Sequence, residues 1–157
     1  MAQRSSEMPA RPQPTILVAD DHPLVRLSVR EDLERGGFLV CAEAGTAREA
    51  IDAAVREDPD VCLLDISMPG GGLLAAAQIL ARLPKTKVVM LTASTSEEDF
   101  IEAVRAGASG YLLKDDDPAR LEFALRDVLS GVPAFPRRLT RPLVDAARRA
   151  LEPPAAA

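Results

Sequence analysis

Five short runs of apolar residues alternate with amphipathic helical patterns between Thr15 and Gly131. The runs lack a regular alternation of apolar and polar positions, which is typical of strands buried on both faces of a parallel sheet. Because a helical pattern separates successive runs, the sequence predicts a parallel α/β sheet with crossover helices, a (βα)₅ arrangement. The predicted strands are 15–19, 38–42, 61–64, 87–91 and 110–113.

Local signals at the predicted helix ends agree with this arrangement. Gly36 and Gly37 are expected to end the first helix, and Thr46 to cap the second. Asp117 followed by Pro118 is expected to begin the fifth, because aspartate is a favoured cap and proline fits the first helical turn.

The two ends of the chain depart from the alternating pattern. Residues 1–13 are polar and rich in proline, which predicts a disordered leader. After Gly131, prolines up to Pro142 interrupt the chain, and leucine or alanine then recurs at every fourth position to Leu151. The sequence therefore predicts one domain over 14–131, followed by a linker helix and a disordered tail.

Composition and charge exclude several function classes. Of 157 residues, 47% are apolar and 27% charged, as in one globular domain. The net charge is −5 although five arginines follow Pro136, so the body of the chain is acidic and a nucleic-acid interface on it is not expected. We interpret those arginines as a solvated helix face, with a DNA contact as the alternative. No run predicts a membrane span or a secretory signal.

The two cysteines carry no metal-binding pattern. Cys41 and Cys62 lack a CxxC or histidine-associated spacing. Two buried free thiols are typical of a reducing compartment, which predicts a cytoplasmic protein.

Polar side chains occur where four of the predicted strands end. Asp20 and Asp21 follow the first strand, Asp65 the third, Thr92 the fourth and Lys114 the fifth. The carboxyl ends of parallel strands meet at one edge of a sheet, so we expect these groups to form one site. Three carboxylates repel each other, and hard oxygen ligands in an incomplete cage favour Mg²⁺. The lysine and the threonine hydroxyl suit a phosphoryl group.

Four segments around these residues resemble the motif blocks of response-regulator receiver domains of the NarL/LuxR type. They are LVADDHPLVR, CLLDISMPG, VVMLTAS and GASGYLLKD, in this order. The resemblance covers 14–131 and implies a flavodoxin-like, doubly wound sheet with strand order 2-1-3-4-5. In that order one strand separates Cys41 from Cys62, and the resulting spacing of ~9.6 Å exceeds disulfide reach.

The resemblance also implies a role for each site residue. Asp65 is the phosphoacceptor and Lys114 binds the phosphoryl group. Asp21, Asp65 and the backbone carbonyl of Ser67 bind Mg²⁺ directly, while Asp20 acts mainly through water.

Further roles follow from the same resemblance. Thr92 assists catalysis and moves toward the phosphoryl group as a switch residue, and Tyr111 enters the space that it leaves. Ser67 and Ser94 tune dephosphorylation. One departure from the family pattern is the glycine loop after Pro69, which is one residue shorter and leaves partner choice and phosphoryl lifetime open.

These roles imply a phosphorylation-dependent switch in a two-component system. A histidine kinase is the expected phosphoryl donor, and the domain catalyses only its own phosphorylation and dephosphorylation, so it is not an enzyme in the usual sense. The expected output is transcription, with DNA bound through an output domain absent from this chain. We also expect phosphorylation to promote a homodimer through a face that includes the fifth helix, 118–130.

Alternative interpretations remain open at this stage. Asp20 and Asp21 could simply cap the helix that follows them, and His22 is interpreted as structural because no second histidine accompanies it. For the whole chain, the alternatives are a stand-alone or phosphorylation-independent receiver that acts as a protein-interaction module, and a phosphatase with an aspartyl nucleophile. The phosphatase would show a DxD pattern, whereas Ser67 stands at the second position after Asp65.

Overall fold

Five parallel strands form one sheet in the order β2-β1-β3-β4-β5. The computed structural model describes residues 12–154, so most of the predicted leader and the last three residues of the predicted tail lie outside the described residues. The strand order confirms the one that the resemblance implied. The elements are β1 Thr15–Ala19, α1 Pro23–Arg35, β2 Leu39–Ala44, α2 Ala47–Glu57, β3 Val61–Leu64, α3 Gly72–Arg82, β4 Lys87–Thr92, α4 Glu97–Arg105, β5 Gly110–Leu113, α5 Pro118–Leu129 and α6 Arg137–Leu151.

The helices cover the sheet on both faces. One apolar cluster joins the sheet to α1 and α5, and a second joins its other face to α2, α3 and α4. Successive strand residues contribute to opposite clusters, as Ile16 and Leu17 do, because side chains alternate along a strand. Among residues 12–154, no helix is long and apolar enough to cross a membrane.

The predicted helix ends are confirmed. Gly37 has φ 88° just after α1, a conformation that glycine adopts without strain. The Thr46 hydroxyl accepts a hydrogen bond from the Glu49 N–H, and the Asp117 carboxylate accepts one from the Ala119 N–H. These side chains satisfy amide groups that have no partner inside α2 and α5.

The predicted second strand is displaced by the end of α1. The Phe38 N–H donates to the Leu33 carbonyl at 3.0 Å, so β2 begins one residue later and continues to Ala44. As an edge strand, β2 is only partly buried, which corrects the expectation of burial on both faces. Cys41 is accordingly half-buried, whereas Cys62 is buried; both thiols are free, as predicted.

The chain after α5 returns to the domain. The Ala134 N–H donates to the Ser109 carbonyl, and the Ala134 carbonyl accepts from the Tyr111 N–H at 2.9 Å, so this segment runs along the free edge of β5. The helix α6 then packs against α4, and its Leu139 is buried in the core. The predicted interruption at Pro142 is absent, because this proline lies inside α6. We call residues 132–151 the strap.

Candidate functional site

The acidic edge of the sheet is built by the neighbouring strands β1 and β3. Ala19 pairs with Leu64, and the Asp65 N–H donates to the Ala19 carbonyl at 2.9 Å. This register brings the next residues, Asp20 and Asp65, to the same edge with their side chains buried. The prediction that these strand ends meet in one site is therefore confirmed at the level of geometry.

Lys114 bridges the two buried carboxylates. Its Nζ lies 2.6 Å from Asp20 Oδ2 and 3.1 Å from Asp65 Oδ2. Burial acts to lower the pKa of Lys114, but the hydrogen bonds and charges of Asp20 and Asp65 outweigh burial, and the pKa is raised. Burial acts to raise the pKa of Asp20, but hydrogen bonds from Lys114 and His22 outweigh it, and that pKa is lowered. Lys114 and Asp20 are thus both charged at neutral pH.

The donor set at this edge fits a divalent cation. Ligand atoms of Asp20, Asp21, His22 and Asp65 all lie within 4.8 Å of one another. Three of these residues offer the hard oxygen ligands that Mg²⁺ prefers, and the single positive charge of Lys114 does not balance three carboxylates. The residues therefore fit the predicted Mg²⁺, and the role of the Ser67 carbonyl stays a prediction.

Two residues at this edge were not assigned to the site from the sequence. His22 Nδ1 lies 3.0 Å from an oxygen of both Asp20 and Asp21, although only a structural role was predicted for this histidine. Arg26 donates from Nη1 to the Asp20 backbone carbonyl and so holds the β1–α1 loop. The N-cap residue of α1 is His22, which makes no side-chain cap bond, so the capping alternative for the two aspartates is wrong.

The loop after β3 places Ser67 and Gly72 against Asp65, and Gly70 and Gly71 lie between them in the chain. The Ser67 hydroxyl lies 3.2 and 3.3 Å from the two carboxylate oxygens of Asp65, and its N–H donates to one of them. Gly70 and Gly71 have φ near +90°, where other residues are strained. A Cβ on Gly72 would lie 2.0 Å from the Asp65 carbonyl oxygen. The short loop therefore has a steric reason for each of its glycines.

A hydrogen-bonded chain leads from Thr92 to the helix α4. The Thr92 hydroxyl accepts from the Ser94 N–H at 3.1 Å, and the Ser94 hydroxyl donates to Asp99 at 2.6 Å. Tyr111 is 0% exposed, and its hydroxyl donates to the Ser94 carbonyl at 3.0 Å. Tyr111, which was predicted to enter the core, already lies there. The hydroxyl of Ser94 points to α4, whereas the hydroxyl of Ser67 contacts Asp65.

A family model for the response regulator receiver domain matches residues 16–126. The chain belongs to this family. The match contains the acidic edge, the predicted switch residues Thr92 and Tyr111, and all five strands except Thr15, the first residue of β1.

Known relatives support the NarL/LuxR type of this receiver. The chain is 42% identical over 128 residues to the nitrate/nitrite response regulator protein NarP of Escherichia coli, covering 80% of this chain and 60% of NarP. It is 36% identical over 138 residues to NarL of the same organism, covering 87% of this chain and 63% of NarL. The chain thus spans about three fifths of the length of these curated relatives.

Solved structures agree with this assignment. A LuxR-family two-component response regulator from Aurantimonas superposes with a TM-score of 0.79 at 32% identity, covering 89% of this chain and 99% of that one. The signal receiver domain of the putative response regulator NarL from Mycobacterium tuberculosis gives a TM-score of 0.73 at 33% identity, covering 76% and 98%. The prediction of a NarL/LuxR-type receiver in a two-component system is confirmed.

Proposed function

We propose that this receiver takes up a phosphoryl group on Asp65 from a phosphohistidine of a histidine kinase, with Mg²⁺ bound at the acidic edge. The observation that carries the proposal is the position of Lys114, whose ammonium group lies between the buried carboxylates of Asp20 and Asp65. A cation fixed beside a nucleophilic carboxylate meets the main requirement of phosphoryl transfer, which is stabilisation of charge on the transferred oxygens.

The proposed transfer is an in-line displacement. A carboxylate oxygen of Asp65 forms a bond to phosphorus while the phosphorus–nitrogen bond of the donor breaks, and the electron pair of that bond leaves with the donor imidazole. Lys114 stays paired with Asp20 and stabilises a phosphoryl oxygen. Mg²⁺, held by Asp21, Asp65 and the Ser67 carbonyl with Asp20 acting mainly through water, would supply further neutralisation of the phosphoryl charge.

Intact-mass spectrometry after incubation with acetyl phosphate and Mg²⁺ tests this chemistry. The wild-type chain should gain one phosphoryl group, and the gain should disappear in Asp65→Asn and in the presence of a chelator. Asp58→Asn is the matched control: it makes the same change at an exposed position with φ 47°, which asparagine tolerates. A wild-type chain that stays unmodified by acetyl phosphate and by a phosphorylated kinase would contradict the proposal and favour the phosphorylation-independent interaction module.

We further propose that phosphorylation shifts the population of two conformations around Thr92. A phosphoryl oxygen would attract the Thr92 hydroxyl, and the buried arrangement of Tyr111 would then be favoured. The hydrogen bonds from Thr92 through Ser94 to Asp99 and Tyr111 support this route, because they join the site to α4.

For the whole protein we propose regulation of transcription through an attached DNA-binding domain, since the matched relatives are response regulators of which this chain spans three fifths.

The exposed apolar side chains of α1 and α5 support the proposed homodimer. Leu24 of α1 is 81% exposed and Phe123 of α5 is 73% exposed, and the two helices border a cleft of about 560 Å³. Burial of such side chains between two copies would be favourable. Light scattering should show a dimer with beryllofluoride and Mg²⁺ that Phe123→Asp prevents and Val55→Asp, at an exposed position of α2, does not. A monomer at high concentration in beryllofluoride would refute the dimer.

A further inference from the structure

The strap is attached to β5 by its backbone. Ala134 makes two backbone hydrogen bonds here, one with Tyr111 of β5 and one with Ser109, the residue just before the strand. Gly110 permits this approach, because a Cβ at that position would lie 3.2 Å from the Ala134 carbonyl oxygen. The first part of the strap therefore lies directly beside the residue that the switch moves.

Aromatic side chains connect the strap to Tyr111. Phe135 of the strap packs edge-to-face on Phe100 of α4, with ring centroids 5.4 Å apart, and Phe100 packs in the same way on Tyr111, also at 5.4 Å. Leu139, which is 5% exposed, belongs to the same apolar cluster. Such ring pairs contribute about 0.5–1.5 kcal/mol each beyond their burial. The strap thus contributes to the packing that keeps the tyrosine ring inside the core.

Charges on α6 favour the same docked position. Arg138 and Arg141 line a cleft of about 350 Å³ between α6 and α4, together with Glu97 from the acidic first turn of α4. Opposite charges across this cleft attract, and the attraction weakens as salt is added.

We propose that the strap is a built-in regulator of the α4–β5 face, the surface formed by α4 (Glu97–Arg105) and β5 (Gly110–Leu113). When docked, the strap holds Tyr111 in the buried position, and docking is coupled to occupancy of the Asp65 site. The coupling rests on the proposed function, in which phosphorylation favours the same buried tyrosine. Because coupling between two sites is reciprocal, occupancy of the site strengthens docking, and loss of docking weakens occupancy by the same factor. The α4–β5 face is then open to a partner only when the strap leaves it.

The first test does not require phosphoryl chemistry. Tyr111 is the single tyrosine of the chain and tryptophan is absent, so tyrosine fluorescence reports this residue alone. Leu139→Ala should raise the acrylamide quenching constant, whereas Leu151→Ala, the same change on the same helix at an 84% exposed position, should leave it at the wild-type value. Unchanged quenching in a folded Leu139→Ala protein overturns the proposal.

A charge variant covers the case in which Leu139→Ala fails to fold by circular dichroism. Arg141→Glu places a negative charge opposite Glu97 without altering the core, and it should raise quenching at low salt. Arg148→Glu, on an exposed part of α6, is the matched control and should have no effect. Equal quenching in the two charge variants and the wild type would also overturn the proposal.

The second test separates the strap from the proposed function. Beryllofluoride with Mg²⁺ should bind the folded Leu139→Ala protein about 5-fold or more weakly than the wild type, while Leu151→Ala binds normally. Equal affinity in all three proteins refutes the coupling but leaves phosphoryl uptake intact. If the wild type does not bind beryllofluoride, the proposed function fails, and the quenching comparison still decides whether the strap holds Tyr111.

Discussion

The acidic edge and the α4–β5 face meet at Thr92, yet different forces hold them together. At the acidic edge, buried charges and hydrogen bonds near 3 Å fix Asp20, Asp65 and Lys114. On the α4–β5 face, aromatic rings and the apolar side chains of the strap make the contacts. Charged hydrogen bonds tolerate little displacement, whereas apolar contact is not directional. The first region is therefore suited to fixed chemistry, and the second to two alternative packings.

The largest effect is expected from Gly72→Ala, at the backbone of the acidic edge. A Cβ there would lie 2.0 Å from the Asp65 carbonyl oxygen, and backbone atoms must move to relieve this contact. We expect a loss of at least about 3 kcal/mol in the free energy of unfolding and a loss of phosphoryl uptake. Urea denaturation and intact-mass analysis measure the two effects.

Gly71→Ala is the control for backbone strain without a clash. Its new Cβ would come no closer than 3.9 Å to a neighbour outside the adjacent residues, but φ is 89°. A cost of about 1–2 kcal/mol is expected from this conformation. If Gly72→Ala proved as stable as Gly71→Ala, the backbone at the acidic edge would move easily enough to relieve the clash. That result would contradict the view that this region tolerates little displacement.

Lys114→Met should have the next largest effect, because it removes the cation and keeps much of the side-chain volume. Asp20 and Asp65 would lose their charged partner, which should cost about 2 kcal/mol in stability and about 100-fold or more in the rate of phosphoryl uptake. Added Mg²⁺ should restore part of the stability, because it supplies positive charge to the same carboxylates. Lys85→Met, at an exposed position, is the control. A full transfer rate in Lys114→Met would remove the lysine from the mechanism.

Much of the acidic edge could be predicted from the sequence because its residues lie at strand ends. A strand order and a set of strand boundaries suffice to bring Asp20, Asp65 and Lys114 together. The apolar runs predicted the boundaries, and the family resemblance implied the order. Arg26 was missed because its bond to the Asp20 carbonyl depends on how α1 turns back over the loop. The reason for Gly72 was also hidden, because it is a distance to a backbone atom seven residues away.

The α4–β5 face was less predictable because its contacts depend on tertiary packing. The periodic leucines and alanines predicted the helix α6, but an amphipathic pattern does not say which surface its apolar side covers. The contact between Phe100 and Phe135 joins residues far apart in the sequence, and no local pattern indicates it. The same limit applies to Ser94, whose bond to Asp99 is set by the start of α4.

Substitutions of Ser67 and Ser94 are expected to have smaller effects, and they test which of the two serines acts on Asp65. Both Ser67 and Ser94 were predicted to tune dephosphorylation, but only the Ser67 hydroxyl is hydrogen-bonded to Asp65 in the structure, within 3.3 Å. Ser67→Ala should therefore change the phosphoryl lifetime more than Ser94→Ala does. Ser94→Ala should instead lower the stability by about 1 kcal/mol through loss of its bond to Asp99. Phosphoryl decay and urea denaturation on both variants decide this, and a larger lifetime change in Ser94→Ala would contradict it.

The smallest effect is expected from the titration of Tyr111. Burial, with a smaller contribution from the charge of Asp99, raises the pKa of Tyr111. The folded protein therefore keeps the phenol proton at a pH where the unfolded chain has lost it. The stability that this adds is fully present below about pH 10, the ordinary phenol pKa, and is lost as the pH rises through the raised pKa of the folded state.

Tyr111→Phe isolates this effect, because Lys114 also has a raised pKa and titrates in the same alkaline range. The variant keeps the ring that packs on Phe100 and lacks the group that ionises. The wild type should be more stable than Tyr111→Phe at neutral pH by about 1 kcal/mol, from the bond to Ser94, and this difference should shrink as the pH is raised above 10. A constant difference between the two urea denaturation curves would mean that the phenol is not protected from solvent, and the packing of the α4–β5 face around Tyr111 would then be looser than its burial indicates.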